Sequence, residues 1–236
     1  MAWVDEGAST SAQLWSRESQ DELHHTVTCD SAVLALAVDD VRGRMLVGTQ
    51  QGDIRVWHLP TFEVQADLVG HRGSVLSLVL SDDYVFSASS DSTVRVWDAE
   101  TLQPRACVFP ASTNTGDIYS LAWDAEAQVL YFGCQDTSIE WISITPVRLQ
   151  EAACEPLWPT AASYDKFFDS RPRSLWHRTS ETAMSARSAT ASALLRRTHV
   201  RWSDGRTCAE SRMAVLRVDP AHVVHSAHHS YVYCLT

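Results

Sequence analysis

His71, Ser87 and Asp91 are the residue types of a nucleophilic triad, in which a carboxylate orients an imidazole that takes the proton of a serine hydroxyl. A second possible chemistry lies near the end of the chain, where His222, His225, His228 and His229 gather the side chain most used to hold zinc. Neither set reads as a working centre. The histidine spacing matches no zinc site, and in a strand two of the four would point away from the others. The serine, histidine and aspartate each have a structural task at their positions, and they would lie buried between strands. That task becomes visible only in the elements around them.

Those elements repeat. "VLALAV" (33–38), "VLSLVL" (75–80) and "IYSLAW" (118–123) recur at spacings of 42 and 43 residues. Each is followed by a polar turn and a second apolar run: "RMLVGTQ", "DYVFSASS" and "QVLYFGCQ". A third run closes each unit: "GDIRVWHL", "STVRVWDA" and "TSIEWISI". Alternating apolar residues bounded by small and polar turn residues predict short antiparallel strands. A period of 40–45 residues ending in Trp-Asp resembles the blade of a WD40 β-propeller, a four-stranded antiparallel sheet whose last strand is completed by the next repeat.

The middle unit carries the pattern most fully. Gly70-His71 opens it, Asp82-Asp83 turns it, and Trp97-Asp98 closes it. Its hydrogen-bonded set would be His71, Ser87, Asp91 and Trp97: Asp91 fixing the histidine tautomer, and Ser87 bridging to the indole N–H. The first unit has Gln51 in place of the turn aspartate and Trp57-His58 in place of Trp-Asp. The third lacks Gly-His, keeps Asp136, and has Ile142 where the tryptophan belongs, with Trp141 one residue early. These two units are expected to hold by strand pairing and apolar packing alone.

The predicted architecture is all-β: an N-terminal extension (1–30), three WD40 blades (31–146), a loop or disordered insertion (147–212), and the start of a next blade (213–236). In that last segment "AHHSYVYCL" overlays "GHRGSVLSL". Three blades and the start of a fourth do not close a ring, so the chain is read as a fragment that folds poorly alone.

Bulk properties narrow the function. A net charge of -10 over 236 residues argues against general nucleic-acid affinity. Between Arg171 and Arg212 nine arginines face three acidic residues, leaving about −16 on the rest of the chain. Six cysteines without a CxxC pair read as buried reduced thiols of a cytosolic or nuclear protein. No basic leader and no apolar run of membrane length are present in the sequence.

Beyond the repeats, "GDIYSLAWDAEAQVLYFGCQDTSIEWISI" (116–144), "YDKFFDSRPR" (164–173) and "VLRVDPAHVVHSAHHSYVYCL" (215–235) resemble the N-terminal part of a fungal glutathione-degrading subunit. That family joins WD repeats to a dizinc metallopeptidase domain of the M20 type. The resemblance implies a cytoplasmic scaffold for γ-glutamyl hydrolysis, with a class II glutamine-amidotransferase-like subunit as partner and neither nucleic acid nor membrane as target. The zinc would belong to the peptidase domain, so no catalytic, cofactor or metal residue is assigned here. Phe167 and Phe168, in "DKFFDS", either dock back on the propeller or are contacts for a partner or the peptidase domain. The alternative is a generic WD40 scaffold of another complex, for ubiquitin transfer or RNA processing.

Overall fold

The computed structural model describes residues 2–4, 10–15, 23–112, 114–151, 199–202, 207–208 and 214–225. They form an all-β, partial propeller of four sheets, with one short helix, α1 (Pro146–Glu151). Phe167 and Phe168 lie outside the described residues.

The three repeats fold as three blades. The first comprises β4 (Val33–Asp39), β5 (Arg44–Thr49), β6 (Asp53–His58) and β7 (Glu63–Val69). The second comprises β8 (Val75–Leu80), β9 (Tyr84–Ser89), β10 (Val94–Asp98) and β11 (Pro104–Phe109). The third comprises β12 (Ile118–Asp124), β13 (Val129–Cys134), β14 (Ile139–Ser143) and β18 (Val223–Val224). Neighbouring strands of each blade pair antiparallel in sequence order. Second strands such as β5 and β9 are buried at every residue, because a sheet flanks them on both faces. That is why their sequences read as continuous apolar or small-residue runs.

Irregularities recur at equivalent places. Register slips near the start of each first strand, at Val33/Ala35, Val75/Ser77 and Ile118/Ser120. A second slip falls just before the tryptophan, at Val56/Trp57 and Val96/Trp97. The turn between second and third strands requires a left-handed residue each time: Gly52 (φ 91), Ser92 (φ 62) and Thr137 (φ 70). Glycine takes this conformation freely, whereas a β-branched threonine is strained in it. Thr137→Gly is therefore expected to stabilise the third blade by about 1 kcal/mol, read as a rise of a few degrees in melting temperature. No rise, or a fall, would mean that the hydroxyl and methyl contribute more than the strain removes.

Three apolar cores separate successive sheets. Leu46, Ile54, Leu68, Val75, Leu78 and Trp97 fill the one between the first and second blades. Phe86, Val96, Leu121, Phe132 and Ile142 fill the next. Ala12, Val27, Met45, Val47 and Trp57 lie between the first blade and a sheet built from the N-terminal residues.

Several boundaries differ from the expectation. Residues 1–30 supply a three-stranded antiparallel sheet, β1 (Ala2–Val4), β2 (Ser11–Trp15) and β3 (Leu23–Thr28), rather than a plain extension. The stretch 147–212, expected to be loop, holds most of α1 and the strands β15 (His199–Trp202) and β16 (Thr207–Cys208). β15 pairs antiparallel with β7 and extends the first blade to six strands. β17 (Ala214–Arg217) does not begin a new blade. It pairs parallel with β11 on the outer edge of the second. The residues after it complete the third blade as β18. For β15, β17 and β18 the physical reason is common: an outermost strand leaves one row of backbone groups unpaired, and these segments satisfy it.

Candidate functional site

In the second blade the four singled-out residues come from four elements and meet. His71 sits in the connection from β7 to β8, Ser87 on β9, Asp91 in the β9–β10 turn, and Trp97 on β10. Trp97 Nε1–H donates to Ser87 Oγ at 3.0 Å. The serine hydroxyl then has its proton free for His71 Nε2, 2.8 Å away. That leaves Nδ1–H to donate to Asp91 Oδ2 at 3.0 Å. One tautomer of a neutral imidazole satisfies the whole series.

Asp91 accepts more than the histidine. The Arg72 amide donates to Oδ2 at 2.9 Å, and Thr93 donates to Oδ1 from its amide at 3.0 Å and its hydroxyl at 2.6 Å. Burial resists ionisation of this carboxyl, but His71, the nearby Arg95 guanidinium and the Thr93 hydroxyl hold it well below the usual carboxylate range. Burial pulls the His71 pKa down, against the attraction of Asp91, and Arg95 adds to the lowering. The pair is therefore an ionised aspartate and a neutral histidine. His71 and Ser87 are both fully buried. A nucleophile must meet substrate, and here the serine oxygen is spent between an indole and an imidazole. The arrangement fixes strand order within a blade.

The other two blades keep the place and change the chemistry. In the first, Val47 stands where Ser87 stands in the second, and the Trp57 indole nitrogen is buried without an acceptor among the described residues. Arg55, two residues before that tryptophan, pairs with Asp67 and Asp30, each at 2.9 Å. In the third, Glu140 occupies the corresponding position and accepts from the Ala111 amide at 2.8 Å through Oε2. Asp136 accepts from Ser138 at 3.0 Å (amide) and 2.5 Å (hydroxyl). Apolar packing alone does not hold these blades. Arg55 and Glu140, at the place Arg95 holds in the second blade, each make polar contacts beside the apolar packing.

The blades are also tied to one another. Arg44, buried on β5, pairs with Asp39 at 3.1 Å and donates to the Ala99 carbonyl of the second blade. Arg42 bridges Asp39 at 3.4 Å and Glu100 at 2.9 Å. Nearby, Arg105 pairs with Asp98 at 2.6 Å, and Asp82, Asp83 and Tyr84 share the same open groove.

Of the C-terminal histidines, His222 stacks on Trp141 with ring centroids 5.5 Å apart, while His228 and His229 lie outside the described residues. Among the described residues no three His, Cys, Asp or Glu side chains converge as a metal site would require. The described residues thus do not fit the zinc pair that the peptidase resemblance implies. Cys29, Cys107 and Cys134 are buried free thiols, and burial pushes Cys107 up to about 11. No helix among the described residues is long and apolar enough to cross a membrane.

The strands from β7 to β10, with their His–Ser–Asp–Trp network, correspond to the segment 62–98 that matches the family model "WD domain, G-beta repeat". The chain contains a WD40 repeat. One relative is the "Zinc finger CCCH domain-containing protein 17" of Oryza sativa subsp. japonica, 37% identical over 118 residues, covering 48% of this chain and 26% of that protein. Another is the "Probable di- and tripeptidase DUG2" of Saccharomyces cerevisiae, 27% identical over 171 residues, covering 63% of this chain and 20% of the relative. The "Ribosomal RNA-processing protein 9" of the same yeast is 32% identical over 91 residues, covering 37% of this chain and 16% of the relative. The chain thus spans about a quarter or less of each of these relatives.

The N-terminal sheet carries a further mark of the WD40 unit. Trp15 ends β2 at the place of Trp57 and Trp97, 42 residues before Trp57, and the β2–β3 register slips at Leu14/Trp15 as it does in the blades. That spacing was the available signal for an additional unit.

Proposed function

We propose that this chain is a protein-interaction scaffold, the WD40 region of a cytoplasmic complex that hydrolyses γ-glutamyl peptides, glutathione among them. One observation carries the finer reading: the likeness to the yeast di- and tripeptidase extends over 171 residues, well beyond one repeat. The fold supports the coarser role. Its polar groups are committed inside and between blades, which makes a rigid frame for exposed turns, and rigid frames with exposed loops suit partner binding. On this reading the partner is a class II glutamine-amidotransferase-like subunit contacted by loops that include Phe167 and Phe168, zinc belongs to a peptidase domain elsewhere, and neither nucleic acid nor membrane is a target.

The test is to recover the full-length gene product from its own cytosol and assay glutathione hydrolysis on the bound material. Co-recovery of an amidotransferase-like subunit with γ-glutamyl cleavage is the expected result, and deletion of 164–173 should then reduce it. A second reading, a scaffold of RNA processing, draws on the likeness to the ribosomal RNA-processing protein. Recovery of RNA-processing proteins with no glutathione consumed would favour it and overturn the first.

A further inference from the structure

The turn between the first two strands of a blade holds four residues in the first and third blades, between Asp39 and Arg44 and between Asp124 and Val129. In the second blade it holds two, Asp82 and Asp83, between Ser81 and Tyr84. The difference shows at the junction with the next blade. The long first turn carries Arg42 and ends on Arg44, and both guanidinium groups reach the second blade. Arg42 donates to the Asp82 carbonyl at 2.7 Å and to Glu100 at 2.9 Å, and Arg44 donates to the Ala99 carbonyl. By register Tyr84 stands where Arg44 stands in the first blade, and the short turn supplies no counterpart of Arg42. Where the first junction holds two arginines, the second has an open groove between Tyr84 and α1.

The groove has acceptors to spare. Asp98 is committed to Arg105 and to the Glu100 and Thr101 amides, and Glu100 to Arg42. Asp82 and Asp83 are exposed, and their carboxylates have no partner among the described residues. The turn does not need them: the Ser81 hydroxyl accepts from the Tyr84 amide at 2.9 Å, the task that Asp39 performs for the Arg42 amide in the first blade. Two further polar groups line the same space. Tyr84 is 7% exposed, and its hydroxyl has no partner among the described residues. Gln103 Oε1 is buried, likewise without one. Pro104, Pro146 and Leu149 add apolar walls. This combination suits a cation with several N–H donors in one plane, carried on an apolar stem.

We propose that the groove receives an arginine side chain of a partner protein, in the role that Arg42 and Arg44 play at the first junction. The guanidinium is held by the Asp82 and Asp83 carboxylates and the Tyr84 hydroxyl, and the stem lies along Pro104 and Leu149. Charge favours it: with Arg42 and Arg105 paired to Glu100 and Asp98, the charge left in the groove is that of Asp82 and Asp83. The proposal stands on either reading of the complex that the scaffold serves.

Fluorescence anisotropy of a labelled Ala-Leu-Arg-Ala-Leu peptide, titrated with the complete chain, tests this. Citrulline in place of the arginine keeps the stem and removes the charge, and should weaken binding by about tenfold or more. Lysine in its place should also bind more weakly, because an ammonium lacks the planar fork. Asp82→Asn with Asp83→Asn changes only exposed side chains, and should match the citrulline loss. Tyr84→Phe keeps the buried ring and should weaken binding several-fold. Glu126→Gln, on the corresponding exposed turn of the third blade, should leave binding unchanged. No binding of the arginine peptide, or equal binding of the citrulline or lysine peptide, would overturn the proposal. So would an equal loss with Glu126→Gln, which would mark a general attraction to a negative chain.

Discussion

Replacing Asp91 with alanine is expected to destabilise the chain by about 3–5 kcal/mol, the range found when one partner of a buried charged set is removed. The carboxylate accepts from the Arg72 amide, from the Thr93 amide and hydroxyl, and from His71. Its loss strands the buried Thr93 and His71 donors and removes the negative charge beside Arg95. Histidine also loses the group that fixes its tautomer, so the bond through Ser87 to Trp97 loosens as well. A fall of roughly 10 °C in melting temperature follows at this chain length. Asp91→Asn retains an acceptor for the Thr93 donors and should lose less. Ser87→Ala combined with Asp91→Ala should cost less than the two changes summed, because both act through His71. A change under about 1 kcal/mol for Asp91→Ala would show that the network is dispensable.

Glu140→Gln is expected to stabilise the chain at pH 8 and change it little near pH 4.5. Glu140 is fully buried, its Oε2 is bonded to the Ala111 amide, and its Oε1 has no partner among the described residues. Burial pushes its pKa up to about 7 from an ordinary 4.5, with Asp136 adding to the rise and the Ala111 amide opposing it. Between those values the unfolded chain releases the proton while the folded chain keeps it. Stability from this group is therefore complete below 4.5 and is lost as pH rises to about 7, by roughly 3 kcal/mol in all. Glutamine keeps the acceptor for Ala111 and removes the slope. His71 acts in the opposite sense: its lowered pKa favours folding above 6.5, and that contribution fades as pH falls below it. Urea midpoints of the two proteins from pH 4.5 to 8 test this directly, and parallel curves would refute it.

How much of this was legible beforehand depended on how each segment is stabilised. First, second and third strands of the three blades carry period-two apolar patterns or continuous runs, since sheets flank them, and so their spacing betrays the fold. The network of the second blade was readable because His, Ser, Asp and Trp occur together at fixed offsets. β15 and β17 were not. Each attaches by backbone pairing to an existing edge, and although Ala214 and Leu216 of β17 enter the core beside the second blade, so short an alternation does not say which edge it will join. β1 to β3 were missed for a different reason: only Trp15 and its distance to Trp57 mark the unit, and a lone tryptophan is weak beside three full repeats. Arg55 and Arg95 share an Arg-Val-Trp run, but Glu140 puts the opposite charge at that place in the third blade, so the run does not extend to all three.

The strands that close the outer edges of the first and second blades have a consequence for biosynthesis. β7 ends at Val69 and β11 at Phe109, yet their partners β15 and β17 span His199–Trp202 and Ala214–Arg217. A ribosome adding roughly 5–20 residues per second needs on the order of ten seconds to supply them. Through that interval both blades emerge with a bare row of amides and carbonyls, open to any passing strand. A chaperone that holds the nascent chain until about residue 217 has left the exit tunnel should raise soluble yield, and stalling translation between 110 and 198 should lower it.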